Sequence, residues 1–312
     1  MMKTYLGIDT SNYTTSCALY REGEGIIVSK KQLLPVAENA KGLRQSDAVF
    51  HHSRNLPGML ECVLSEFDSP CAVSASYAPR DSLDSYMPCF TVGCGYSKVI
   101  SSALNIPRYE FSHQAGHIAA AVYSAGKSEL IGSRFIAFHF SGGTTDALFV
   151  EYDEDRIFNI HNVFTSLDLK AGQAADRVGV MLGLRFPAGA QLEKLAKQSE
   201  KKYDVKLFFR DGNVSLSGIE NKCRDMFLKG EDKCDVARYC IDSLRCCVYQ
   251  MCVNMREKFG NIPVLYAGGV MSDSIIREDI LSRVDNCYFA EPEFSADNAA
   301  GTAYLAYIKE NL

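Results

Sequence analysis

His113 and His117 stand four residues apart in HQAGH. On a helix that spacing puts both imidazoles on one face, within reach of a single cation. An oxygen ligand is available from Asp297 in FSADNAAG, an acidic residue at an expected helix N-terminus otherwise flanked by small side chains. The same three residues would serve equally as two hydrogen-bonded histidines in a packed interface and a helix cap, so the spacing leaves both uses open. Two glycine turns form a second group. At Ser141, Gly142, Gly143, Thr144 and Thr145 the backbone N–H groups are open to a phosphate or carboxylate, and at Ala267, Gly268 and Gly269 a strand feeds a helix N-terminus. Asp9, Asp168, Asp176 and Asp273 lie in or beside these turns or in the helical segment between them. Such carboxylates accept from ribose hydroxyls, hold a cation beside phosphates, or cap helices. Asp176 falls in the middle of its helical segment, where capping does not explain it, although a surface salt bridge still would.

These residues need a scaffold, and the periodicity supplies one. Residues 5–21 read as a β-hairpin around the turn former Asn12. Helical spacing follows over residues 52–67 and 92–104, then a strand at 108–111. The alanine-rich HQAGHIAAAVYSAG predicts a helix, and FIAFHF, SGGTT, DALFVEY repeat the strand–turn–strand pattern. Residues 167–196 read as helical with a break at 187–189, and residues 235–259 form the longest helical stretch. VLYAGGVMSD gives a buried strand, a turn and a helix start capped by Ser272 or Asp273, and a final helix covers about residues 297–309. Two strand–turn–strand units predict an α/β protein of duplicated halves facing each other across a cleft, without a residue-level repeat.

At 312 residues the chain is long for one core, so two lobes are expected. Residues 1–112 form the first, with the helix at about 297–312 packing back on it, and residues 113–296 the second. The 47% hydrophobic and 23% charged composition is that of a globular protein. A net charge of −5 argues against nucleic-acid binding through the overall field. The lysine and arginine clusters at 30–44 and 194–202 read as solvated faces. Twelve cysteines lie in apolar runs without CxxC pairs and read as reduced, buried thiols. No apolar run reaches ~18 residues and the chain opens directly into a strand, so a cytoplasmic protein without a membrane span is expected. There is no GxGxxG, P-loop, GxSxG or HExxH pattern.

In order along the chain, GIDTS at 7–11, HQAGH at 113–117, SGGTT at 141–145, AGQAADRVGVMLGLRFPAG at 171–189, SLSG at 215–218, AGGV at 267–270 and PEFSADNAA at 292–300 resemble the TsaD family of tRNA threonylcarbamoyladenosine synthases. The resemblance covers nearly the whole chain. It implies a two-lobed actin-like/sugar-kinase fold in which His113, His117 and Asp297 hold one iron or zinc ion. It further implies an adenylate pocket lined by His139, Phe140, Ser141, Gly142, Gly143, Asp176, Gly189 and Asp273. The donor would be threonylcarbamoyl-AMP and the acceptor the exocyclic amine of an adenosine beside a tRNA anticodon. Helper proteins of the TsaB and TsaE type, and a homo- or heterodimer, are the partners such a member would have.

Four departures accompany the matches. Where the family has Cys-Asp-Glu-Thr after its first strand, this chain has Asn12, Tyr13, Thr14 and Thr15. The family's Gly-Pro-Gly loop is replaced by residues 78–88, its histidine after Ser-Gly-Gly by Thr144, and its asparagine after Ala-Gly-Gly-Val by Asp273. The resemblance is therefore to a diverged paralogue altered on the acceptor side. Besides tRNA modification, it leaves room for a related carbamoyl transfer, for a non-catalytic partner of a TsaD-type enzyme, and for a kinase using ATP on the same fold. A metallopeptidase is disfavoured because only Gln114 stands beside the first histidine, where a glutamate base would be needed.

Overall fold

The computed structural model describes residues 2–35, 43–65, 69–82, 84–294 and 298–312. They form two compact units, the first comprising residues 1–131, 152–159 and 293–312, the second residues 132–151 and 160–292.

The first unit is built on the expected hairpin. Strand β1 (Thr4–Ser11) pairs antiparallel with β2 (Thr14–Arg21), which pairs with β3 (Gly25–Leu33). On its other edge β1 runs parallel to β4 (Ala72–Ala78), followed by β5 (Arg108–Ser112), giving the order β3-β2-β1-β4-β5. Every residue of β1 before Ser11 is buried, as a central strand covered on both faces requires. Helices α1 (Gln45–Ser65) and α2 (Phe90–Leu104) contribute Leu56, Leu60, Val63 and Val92 to a cluster with Leu6, Ile8 and Val73. Helix α1 begins at Gln45, well before the expected start at 52, because its first turn is polar and carries no apolar period.

Helix α3 (His113–Ser124) and the last helix, α9 (Ala299–Asn311), also belong to this unit. They approach each other and β1 too closely for side chains. A Cβ on Gly301 would lie 1.9 Å from the Gly116 carbonyl oxygen, and one on Gly7 would lie 2.2 Å from that of Ala299.

The second unit repeats the plan. Strand β6 (Phe135–Phe140) pairs antiparallel with β7 (Thr145–Asp153), and β8 (Ile157–Thr165) follows at the edge. Next come α4 (Ala171–Met181), α5 (Gly189–Ala196), the short strands β9 (Phe208–Arg210) and β10 (Asn213–Ser215), α6 (Ser217–Leu228) and α7 (Lys233–Phe259). Strand β11 (Val264–Ala267) then runs parallel to β6, helix α8 (Ser274–Arg283) follows, and β12 (Cys287–Phe289) closes the sheet in the order β12-β11-β6-β7-β8. Each central strand thus has an antiparallel hairpin partner on one side and a parallel strand on the other, so the duplication is one of topology. Its core includes the stacked pair Phe138 and Tyr266, 5.1 Å between ring centroids, and the apolar stripe Leu244, Val248, Met251 and Met255 of α7.

The helical reading of residues 167–196 is corrected at its start and at its break: residues 167–170 precede the first helix, and the interruption spans 182–188 and not 187–189. All twelve cysteines are free thiols, but only Cys17, Cys89, Cys223, Cys240, Cys247 and Cys252 are buried, the others being half-exposed. Among the described residues no helix is long and apolar enough to cross a membrane.

Candidate functional site

The start of α3 is fixed by its own sequence. Ser112 caps it, its Oγ accepting from the Ala115 amide at 3.2 Å and donating to Asp81 Oδ2 at 2.7 Å, while the Gln114 amide donates to the Pro79 carbonyl. This sets His113 and His117 one turn apart with their Nε2 atoms 3.1 Å from each other. With metal–nitrogen bonds of about 2.0–2.1 Å, that separation corresponds to a ligand angle of about 95–100° at a shared cation. The pair therefore fits a metal ion geometrically.

Behind the pair lies a buried carboxylate. Asp9, 1% exposed at the end of β1, places Oδ1 3.0 Å from His113 Nδ1. Asn298, which precedes α9 and is 3% exposed, donates from Nδ2 to the same oxygen at 2.8 Å and to Ser76 Oγ at 3.1 Å. Ser76 is itself in hydrogen-bond contact with Asp9, and the Ser11 amide donates to Asp9 Oδ2 at 3.3 Å. Burial alone would push the Asp9 carboxyl up, but the neighbouring His113, with Ser76 and Asn298, holds it well below the usual carboxylate range. A carboxylate on the far ring nitrogen is the usual outer partner of a metal-binding histidine. Asp297 lies outside the described residues, and among those described no cluster of three His, Cys, Asp or Glu side chains surrounds one point.

In the second unit the residues 141–144 form a tight turn. The Ser141 amide donates to the Thr144 carbonyl at 2.9 Å, and Ser141 Oγ accepts from the Gly143 and Thr144 amides. Gly142 and Gly143 leave open space where a side chain would stand. Helix α4 starts directly against this turn: the Gly172 amide donates to the Ser141 carbonyl, and a Cβ on Gly172 would lie 2.6 Å from the Gly142 nitrogen. His139 Nδ1 lies 3.3 Å from Thr144 Oγ1, and the Phe140 side chain is in the core, leaving only its backbone for a ligand. At the other turn Gly268 has φ +97°, and a Cβ there would lie 2.2 Å from the Phe140 carbonyl oxygen, so only glycine fits.

Asp176 on α4 accepts from the Ala188 amide at 2.7 Å, which accounts for its mid-helix position and fixes the residues leading into Gly189 and α5. Asp168 accepts from the Leu169, Leu216 and Ser217 amides and from Ser217 Oγ, tying the residues before α4 to the start of α6. Asp273 is the cap of α8, Oδ1 accepting from the Ile275 and Ile276 amides at 2.9 and 3.2 Å. Burial, and then the nearby Glu193 carboxylate, raise its pKa to about 6. Of the lysine cluster in this unit, Lys197 pairs with Glu193 and Lys201 with Asp235.

The family profile for TsaD, tRNA N6-adenosine threonylcarbamoyltransferase, matches residues 36–304. The chain belongs to the TsaD family. Its membership makes it one of a family of transferases, and the tRNA N6-adenosine threonylcarbamoyltransferase of Thermus thermophilus is 28% identical over 97% of this chain and 91% of its own length. Among solved structures, full-length HypF in its phosphate- and nucleotide-bound form superposes with a TM-score of 0.61 at 13% identity, covering 97% of this chain and 55% of its own. A ROK family glucokinase from Streptomyces griseus gives 0.53 at 10% identity with both chains fully covered. These two likenesses show the fold, the actin-like/sugar-kinase fold expected from the motifs.

Within this TsaD-family chain, His113 and His117 come together and Asp9 stands behind His113. Asn298 and Ser76 were not singled out from the sequence. Asn298 sits directly after Asp297 in the quoted FSADNAAG run, but its partner lies 289 residues away, where no local pattern reaches. The 12–15 turn is tied to α1: Gln45 Nε2 donates to Asn12 Oδ1, and Thr15 Oγ1 lies 2.8 Å from Nδ1 of the buried His52, whose Nε2 faces the Ser11 carbonyl at 2.9 Å.

Proposed function

We propose that this chain transfers a threonylcarbamoyl group from threonylcarbamoyl-AMP to the exocyclic amine of an adenosine beside a tRNA anticodon. The observation that carries the reading is the histidine pair with converging Nε2 atoms, backed by a buried carboxylate, in a chain of this family. His113, His117 and Asp297 would hold one iron or zinc ion, which when bound would supply Lewis-acid polarisation of a carbonyl oxygen. The chain's own groups do the remainder. Asp9, against His113 Nδ1, keeps the ring turned toward His117. The backbone of residues 139–143, with Gly189 and the turn before Asp273, would hold the adenylate, glycines allowing close approach of its phosphate. Asp176 would act from behind, by fixing the backbone that leads into Gly189. Helper proteins of the TsaB and TsaE type would supply and activate the donor.

One observation favours a second reading in which the acceptor differs. The 12–15 turn offers no carboxylate, and its Asn12 and Thr15 side chains are already engaged by Gln45 and His52. A related carbamoyl transfer to another acceptor would explain that change.

The deciding experiment incubates metal-loaded protein with threonylcarbamoyl-AMP and unmodified tRNA, with and without candidate helpers, and measures threonylcarbamoyladenosine by mass spectrometry. Product formed by the wild type and lost in His113→Ala/His117→Ala supports the reading. Tight adenylate binding with no modified nucleoside under any combination replaces it with the second.

A further inference from the structure

The hydrogen bonds around Asn298 can be counted. Its amide nitrogen carries two hydrogens and has three groups within reach: Asp9 Oδ1 at 2.8 Å, Ser76 Oγ at 3.1 Å and His113 Nδ1 at 2.8 Å. Turning the amide over would put its oxygen against the Asp9 carboxylate, a contact between two acceptors. The orientation in place leaves Asn298 Oδ1 buried without a hydrogen-bond partner among the described residues. That oxygen occupies the space a side chain at position 116 would need, since a Cβ on Gly116 would lie 2.3 Å from it. The orphaned oxygen costs free energy and is retained. Its retention is explained if the two amide hydrogens must go to Asp9 and Ser76. His113 Nδ1 then has to supply a hydrogen to Asp9 instead of receiving one from Asn298.

We propose that Asp9 and Asn298 form a positioning pair that locks His113 in its Nδ1–H tautomer, so that Nε2 is presented as a bare lone pair beside His117 Nε2. Asp9 takes the proton-bearing side of the ring, and Asn298 holds the Asp9 carboxylate while its own hydrogens are kept away from the imidazole. Ser76 completes the arrangement as the second acceptor of the Asn298 amide. This proposal rests on the metal reading of the histidine pair, but it makes a separate statement about the protein without metal. It also gives Asp9 a role different from a cation or ribose contact beside a turn.

The test uses the full chain with ¹⁵N-labelled histidine, stripped of metal, and reads the His113 ring nitrogens by NMR. Zinc affinity is measured in parallel by competition with a chelator, and circular dichroism checks that each variant is folded. Wild type is expected to show a single tautomer protonated at Nδ1. Asp9→Asn is expected to give mixed tautomers and a ~10–100-fold loss of zinc affinity, the range typical of removing an outer partner of a metal-binding histidine. Ser76→Ala frees one Asn298 hydrogen to compete for His113 Nδ1 and is expected to move the tautomer balance in the same direction. A metal-free wild type protonated at Nε2, or unchanged zinc affinity in Asp9→Asn, overturns the proposal. A wild type that binds neither zinc nor iron yet shows the Nδ1–H form alone sinks the metal reading while upholding the tautomer lock.

Discussion

Asp273 caps α8 from a buried position, and the Glu193 carboxylate adds to the effect of burial in raising its pKa. Asp273→Asn preserves the cap, because asparagine and aspartate cap equally well. What the substitution removes is the cost of a buried charge. A carboxyl that ionises near 3.8 in the unfolded chain and about 6 in the folded one leaves the folded state holding more protons between those values. Its stabilising contribution is therefore complete below about pH 3.8 and is lost as pH rises through about 6. At 1.36 kcal/mol per pH unit the full loss is about 3 kcal/mol, most of it, about 2 kcal/mol, falling between roughly pH 4.5 and 7.5. Asparagine gives up part of the attraction between a charged cap and the helix N-terminus, worth about 0.3–1 kcal/mol. The net expectation at about pH 7.5 is a variant more stable than wild type by about 2 kcal/mol, an advantage that largely disappears at about pH 4.5. Urea unfolding of both proteins at the two pH values measures this directly. Effects of His52 and other titrating groups cancel in the difference between the two proteins. An advantage that is equal at both pH values, or absent at the higher one, would show that Asp273 is an ordinary ionised cap.

Three further outcomes are expected. Gly301→Ala should destabilise the chain by about 1–3 kcal/mol in thermal unfolding and weaken metal binding, since the added methyl collides with the Gly116 carbonyl oxygen on the helix that carries both histidines. Asp168→Ala should lower stability by about 1–2 kcal/mol, a modest figure because the carboxylate is solvent-exposed, while raising proteolytic nicking between α4 and α6. His52 is held neutral by burial, so stability should fall as pH drops below its ordinary value near 6.5, and His52→Leu should flatten that part of the profile. An unchanged acid limb in His52→Leu would remove His52 as its cause.

What could be read in the sequence was whatever depends on near neighbours. The hairpin around Asn12, the helical face shared by His113 and His117, and the cap at Asp273 each follow from spacing within a few residues. The start of α1 could not be read, because Gln45 is placed by distant groups, Asn12 and the Cys89 amide, and not by an apolar period. Asp176, for which spacing leaves a surface salt bridge open, instead accepts from the Ala188 amide across the loop between α4 and α5, a contact no local pattern shows. The role of Asp9 was hidden for the same reason: its partners lie on β4, α3 and the residue before α9, segments that only the finished fold brings together.

The close seat of α9 on β1 and α3 also bears on how the molecule is made. Gly7, Gly116 and Gly301 mark a contact between a segment made before the second unit and one made after it. About 150 residues of the second unit are synthesised before α9 emerges, which at ~5–20 residues per second takes roughly 8–30 s. During that interval the histidine pair exists without Asn298. A nascent chain halted before residue 293 would carry both histidines and still lack the clamp that orients them.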